Sequence, residues 1–230
     1  MTRGEHNVTL GVDLGQANDW SALVLTERAE RWRGAEDRNT VGDNPGRRLE
    51  SVHIVRHVER LALGTPYPKV VERVGEILRT PGLREGRLVV DATGVGRAVM
   101  DMFTDAYRDG ECGWHRPKAC VITSGTEVSG WHVPKMQLIS RLVRLSQEGR
   151  LRFADGGDGL ALASKLEQEL QTFQLKMSKA GNVQFEARKE SDHDDLVIAL
   201  ALSVFREHWN VTPWGLLPSG ELVDRYYEAA

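Results

Sequence analysis

The first three regular segments of the chain are all strand-like, and no helix separates them. Val8 to Leu14 alternates, with Val8, Leu10 and Val12 on one side and Thr9, Gly11 and Asp13 on the other, the period-two pattern of a half-buried strand. Ser21 to Thr26 predicts a second strand, near enough to form a hairpin with the first, and Leu49 to Val58 predicts a third. Between them, Arg28 to Arg48 is polar, with a turn at Asn44-Pro45-Gly46. The pattern then changes. Apolar stripes predict helices over Tyr67–Leu78 and Gly96–Tyr107. Between these helices lies a short strand, Arg87–Val90, ending in Asp91. Lys118–Thr123 is a strand, Pro134–Glu148 a helix, Leu151–Phe153 a short extended piece and Gly159–Gln171 a helix. Phe173–Met177 and Val183–Glu186 are spaced to pair as a hairpin, and Ser191–Phe205 is a last helix, apolar on nearly every side. Three antiparallel strands followed by strand–helix units predict an α/β fold with a mixed sheet flanked by helices. Residues 1–208 make up the expected domain, and residues 209–230, with Pro213 and Pro218, form an irregular tail.

A chain of 230 residues, 40% hydrophobic and 27% charged, can bury a full core without staples. That excludes a disordered chain and a disulfide scaffold. The two cysteines, Cys112 and Cys120, form no C-x-x-C pair and fit two reduced thiols. Met1 to Val8 carries no signal-peptide core and no apolar run reaches membrane-spanning length, so a cytoplasmic protein is expected. A net charge of −3 excludes bulk electrostatic coating of nucleic acid but leaves room for a local basic groove.

Asp13 and Asp91 each end an apolar strand and precede a glycine-containing turn. Functional sites in α/β sheets form at the C-terminal ends of strands. If the two strands are parallel neighbours, their carboxylates lie side by side and repel, and a divalent cation removes that repulsion. Hard oxygen ligands suit Mg²⁺ or Mn²⁺. Taken singly, each is also an ordinary turn-initiating or helix-capping Asp. The third cluster is Ser191-Asp192-His193-Asp194-Asp195-Leu196, at the head of the last helix. Capping and the helix dipole account for part of it. Three Asp and a His before an apolar helix exceed what a cap requires. Asp195 shares a helix face with Ile198, Ala199 and Leu202, so it points inward if that face meets the sheet. Asp194 lines up with Val197, Ile198 and Ala201.

These acids, in this order, resemble the ribonuclease H-like nucleases, and within them the nuclease domain of phage large terminase, the DNA-packaging motor subunit. The resemblance rests on GVDLGQANDWSALVLTE from Gly11, LVVDATGVGRAVMDMF from Leu88, VPKMQLISRLVRLSQEGRLRF from Val133 and HDDLVIALALSVF from His193. It implies a ribonuclease H-like sheet and a metal-dependent endonuclease that cuts duplex DNA during genome packaging. Carried over, Asp13, Asp91 and Asp195 match the catalytic, metal-binding acids, with Asp13 as the natural bridge between two Mg²⁺ or Mn²⁺ ions about 4 Å apart. Asp19 and Asp194 match accessory acids. Asp19 equally fits a turn cap, and Asp194 a helix cap. His193 fits a general base, a residue beside the ligands or an exposed turn residue. Lys135 matches a lysine at the start of a helix, where it either approaches the scissile phosphate or is simply solvated.

The sequence contains no Gly-Lys dipeptide and therefore no G-x-x-x-x-G-K-[ST] phosphate loop. A terminase ATPase would then be a separate or excised partner, alongside small terminase, portal and double-stranded DNA. Three rivals share some of the features. A Holliday-junction resolvase uses the same fold and acids. A sugar-kinase or actin-like phosphate loop resembles Gly11 to Gly15 but needs a much longer chain. A catalytically silent DNA-docking module needs only the surface. Arg28 to Arg48 mixes arginines with Glu30, Glu36, Asp37 and Asp43. It fits a DNA-contacting loop or a solvated hairpin.

Overall fold

The structure is a computed structural model that describes residues 8–15, 19–32, 49–83, 86–94, 96–112, 116–154, 158–179 and 194–205. Seven strands form one sheet: β1 (Val8–Asp13), β2 (Ala22–Trp32), β3 (Leu49–Arg60), β4 (Arg87–Asp91), β5 (Lys118–Thr123), β6 (His132–Pro134) and β7 (Leu151–Phe153). Their order across the sheet is β6-β5-β4-β1-β2-β3-β7. The β1–β2 and β2–β3 pairs are antiparallel; β1–β4, β4–β5, β5–β6 and β3–β7 are parallel. This is the mixed sheet, three antiparallel strands joined to parallel ones, that the order of segments predicts.

The helices α1 (Tyr67–Arg79), α2 (Gly96–Arg108), α3 (Lys135–Gln147), α4 (Ala163–Lys179) and α5 (Asp195–Val204) cover both faces. Strand alternation divides the core accordingly. Leu10, Val12, Leu23, Leu88 and Val90 pack with Val70, Val74, Leu78 and Phe103 of α1 and α2. Ala22, Val24, Val55 and Val89, on the opposite face, pack with Leu138, Leu142, Leu166 and the whole of α5. Both cysteines are free and buried.

α5 is buried along its entire length, which its all-round apolar sequence requires. It lies so close to β1 that a Cβ on Gly11 would fall 2.0 Å from the Ala199 carbonyl oxygen and 2.8 Å from the Ser203 nitrogen. Glycine is needed there to let two backbones approach.

Several boundaries differ from expectation. Phe173–Met177 is not a hairpin strand but part of α4, whose Leu166 and Leu170 are buried at helical spacing. Good helix formers continue without a break to Lys179, so the local alternation of Phe173, Leu175 and Met177 does not decide. The second half of the expected hairpin lies outside the described residues. A single 3₁₀ turn, Asp158–Leu160, replaces the first turn expected for that helix. The last helix starts at Asp195 rather than Ser191, and residues 191–193 lie outside the described residues. β6 has no counterpart in the sequence reading: its three residues are too few to show a period. The tail 209–230 and most of Arg28–Arg48 also lie outside the described residues.

On the α1 side, Glu59 of β3 receives Arg73 of α1 through Nε at 2.9 Å and Nη2 at 3.0 Å, and pairs with His57 Nε2 at 2.8 Å. The hydrogen bond with His57, and then Arg73, hold the Glu59 carboxyl down at about 2 against the cost of burial. The folded value lies below the unfolded one, so the stabilisation is present above about pH 4.5 and is lost as pH falls towards 2. Glu59→Gln should therefore lower stability at pH 7 by about 2 kcal/mol and leave it little changed near pH 2. Urea midpoints measured at both pH values check this.

Candidate active site

The register of the sheet sets one row of residues across its α5 face. Val12 pairs with Val90, which brings Asp13 and Asp91 level at the ends of adjacent parallel strands. Asp91 pairs with Cys120, Asp13 with Ala22, and Ala22 with Arg60. The row therefore reads Cys120, Asp91, Asp13, Ala22, Arg60 across β5, β4, β1, β2 and β3. Cys120 and Ala22 belong to the core beneath α5, and side chains in one row share a face. Asp13 and Asp91 thus point towards α5, as neighbours.

The head of α5 supplies two more carboxylates. Asp194 occupies the N-cap position, but its side chain caps nothing. Its Oδ2 instead accepts a short hydrogen bond from Nζ of Lys135, the first residue of α3. Asp195, one residue on, faces the other way, towards β3. Arg60 grips it with both arms: Nε donates to Oδ2 at 2.7 Å and Nη2 to Oδ1 at 2.8 Å. Nη2 also donates to Glu169 Oε1 of α4 at 3.0 Å, and the guanidinium lies 5.0 Å from the centroid of the Trp20 ring. The Arg60 and Asp195 side chains are only 9% and 8% exposed.

Electrostatics distinguish the acids. The Asp13 carboxyl is pushed well above the usual carboxylate range, first by burial and then by Asp91, Asp194 and Asp195 in that order; Lys135 opposes them. Among the described residues no group hydrogen-bonds to the Asp13 carboxylate. Burial also raises Asp91. Its own turn opposes this, since Thr93 lowers it and its backbone N–H donates to Oδ1 at 2.8 Å. Lys135 also lowers Asp91, and Asp194 raises it. The Thr93 hydroxyl oxygen in turn accepts from the Ile122 N–H at 2.7 Å, which ties the Asp91 turn to β5. Burial raises Glu169, with Arg60 opposing and Asp195 adding to the rise.

The structure thus gathers Asp13, Asp91, Asp194, Asp195 and Lys135. It does not gather Asp19, which is exposed in the β1–β2 turn and is absent from the groups that act on Asp13. His193 lies outside the described residues. Among the described residues no three His, Cys, Asp or Glu side chains converge tightly enough to hold an ion as they stand. Lys135 engages one α5 carboxylate and Arg60 the other. Trp20, Arg60, Thr93 and Glu169 were invisible to sequence reasoning. Arg60 sits 135 positions from Asp195, and no local pattern marks such a pair.

The donor chemistry suits a hard divalent cation: Asp13 is held close to like charges, which favours a positive ion, and Asp13 and Asp91 offer carboxylate oxygens at the C-terminal ends of parallel strands.

No protein-family model matches the chain, and no curated protein matches it. Among solved structures, it is similar to the large terminase nuclease from thermophilic phage G20c, at 18% identity, with 89% of this chain and 84% of that chain covered and a TM-score of 0.47. The large terminase nuclease domain of bacteriophage SPP1 with bound Mn is 11% identical, with 89% and 88% covered and a TM-score of 0.45. For the human cytomegalovirus terminase nuclease domain the identity is 12%, the coverage 88% and 84%, and the TM-score 0.49. Likeness of this order carries no inference about chemistry.

Proposed function

We propose that the chain is a divalent-metal-dependent nuclease module that cuts duplex DNA. The observation that carries this reading is the half-buried Asp13 carboxyl, level with Asp91 on a parallel neighbour and near enough to Asp194 to feel its charge. An acid pushed up by burial and by like charges destabilises a fold unless a cation answers it, so its placement at a strand end points to a site. Asp13, Asp91 and Asp194 would hold Mg²⁺ or Mn²⁺, as two ions in the two-metal scheme. What the ions add when bound is charge on the scissile phosphate, an activated water and stabilisation of the leaving oxygen.

The protein's own residues prepare that chemistry. Thr93 orients Asp91 through its backbone N–H, and its hydroxyl oxygen, accepting from Ile122, ties that turn to β5. Lys135 holds Asp194 at the mouth of the site and is the positive side chain that acts on both Asp13 and Asp91. Phosphate contacts of this kind are independent of DNA sequence. The packaging context comes from the order of the sequence motifs. On it we propose a terminase ATPase, separate or excised, small terminase and portal as partners, and a host cytoplasmic setting. Among the described residues no helix is long and apolar enough to cross a membrane.

Supercoiled plasmid incubated with the protein in EDTA, Mg²⁺ or Mn²⁺ tests the function. Nicked and linear products should appear with either cation and vanish with EDTA. Cleavage that persists in chelator, or no cleavage with either ion, would defeat the proposal.

A further inference from the structure

The two adjacent acids at the head of α5 are handled differently. Lys135 engages Asp194 through one oxygen. Arg60 takes both oxygens of Asp195 in a planar, two-armed pair, and the same guanidinium reaches Glu169 and lies beside Trp20. Residues next to each other on a helix diverge by about 100°. The row across the sheet makes use of that divergence: Asp13 and Asp91 lie to one side of Ala22, and Arg60 lies to the other. Asp194 therefore falls over the acids, and Asp195 falls over the arginine.

From this geometry we infer that Arg60 is a positioning residue: by clamping Asp195 and Glu169 it fixes the first turn of α5, so that Asp194 and not Asp195 is presented to the cation. The inference rests on the proposed metal-dependent function. A fork-to-fork pair determines orientation as well as distance, which a lysine on a flexible stem cannot do. Trp20 covers the guanidinium face, and Glu169 ties it to α4. Three elements that are far apart in the sequence (β3, α4 and α5) meet on one side chain. Asp195 spends both oxygens there. A cation at Asp195 would have to displace Arg60 and leave a nearly buried guanidinium facing Glu169 alone, which is costly.

The test is Mn²⁺ binding by calorimetry, well below the melting temperature and without DNA, alongside melting curves in EDTA. At that temperature a variant that is merely less stable still binds like the parent. Asp194→Asn should abolish measurable binding. Arg60→Gln should weaken binding by about 10- to 100-fold, the usual effect of removing a residue that orients a ligand. Arg60→Lys should recover part of that loss, and Asp195→Asn, which keeps the shape and one acceptor, should lose less than Arg60→Gln. If Asp195→Asn is as damaging as Asp194→Asn, Asp195 is a ligand and the inference is wrong. If Arg60→Gln lowers the melting temperature but binds Mn²⁺ as tightly as the parent, Arg60 is structural only and the inference is again wrong. If Arg60→Gln does not fold, Arg60→Lys and Asp195→Asn decide. Parent protein that binds no Mn²⁺ would instead overturn the metal-dependent function itself.

Discussion

Asp13→Asn should leave a folded protein that cuts plasmid DNA more slowly by on the order of 10³-fold, about 4 kcal/mol of lost transition-state stabilisation. The large effect follows from where Asp13 sits. It is the acid on which Asp91, Asp194, Asp195 and Lys135 all act, and so the one whose charge any bound cation feels together with its neighbours'. Stability should move in the opposite direction. The folded-state value of Asp13 lies above its unfolded value, so its contribution is fully present below the unfolded value and is lost as pH rises through the folded one. Without metal, the parent protein should therefore lose stability as pH rises out of the acid range, and Asp13→Asn should flatten that decline. Millimolar Mn²⁺ should raise the melting temperature of the parent by mass action and raise that of the variant less. The check is a set of melting curves for both proteins, in EDTA and in Mn²⁺, at pH 5 and pH 8. An Asp13→Asn protein that melts well below the parent in EDTA would identify Asp13 as a structural residue.

Gly11→Ala should be strongly destabilising. The added carbon would meet the Ala199 carbonyl oxygen at 2.0 Å and the Ser203 nitrogen at 2.8 Å, and both are helix backbone. A flexible side chain can swing aside; a helix wedged between sheet and core cannot. The expected cost is about 3 kcal/mol or more, a fall in melting temperature of roughly 6–12 °C. Activity should fall with it even well below the melting temperature, because a shifted α5 carries Asp194 away from Asp13. Chemical denaturation and plasmid cleavage at 20 °C measure the two effects separately. A variant as stable as the parent would mean that α5 and β1 are further apart than described.

Much of the fold was legible because strands and amphipathic helices leave local periods. β1, β4 and β5 stand within a residue of where the sequence places them, and the end-of-strand positions of Asp13 and Asp91 put them side by side on the condition that their strands are parallel neighbours, which they are. The failures have physical causes. Phe173 to Met177 alternates over a stretch too short to outweigh the helical spacing of Leu166 and Leu170. α5 is apolar all round, so its sequence cannot say which face meets the sheet. That orientation is decided by the close approach at Gly11 and by the grip of Arg60 on Asp195, both of them contacts between distant parts of the chain. The divergence of Asp194 and Asp195 around the helix could be read from sequence. Which of them turns towards Asp13 could not, because it depends on Arg60.

The burial of α5 on every side also sets a limit on breathing. A helix with one wet face can fray or lift for moments at small cost, whereas one enclosed by sheet and by α3 and α4 opens only when most of the molecule does. Asp194 and Asp195 head that helix, and Asp13 and Asp91 end the strands it rests on. These four acids therefore sit where opening is costly. On the proposed function, a DNA duplex arriving at this edge of the sheet would meet acids already held in place, and the adjustment on docking would fall to the duplex.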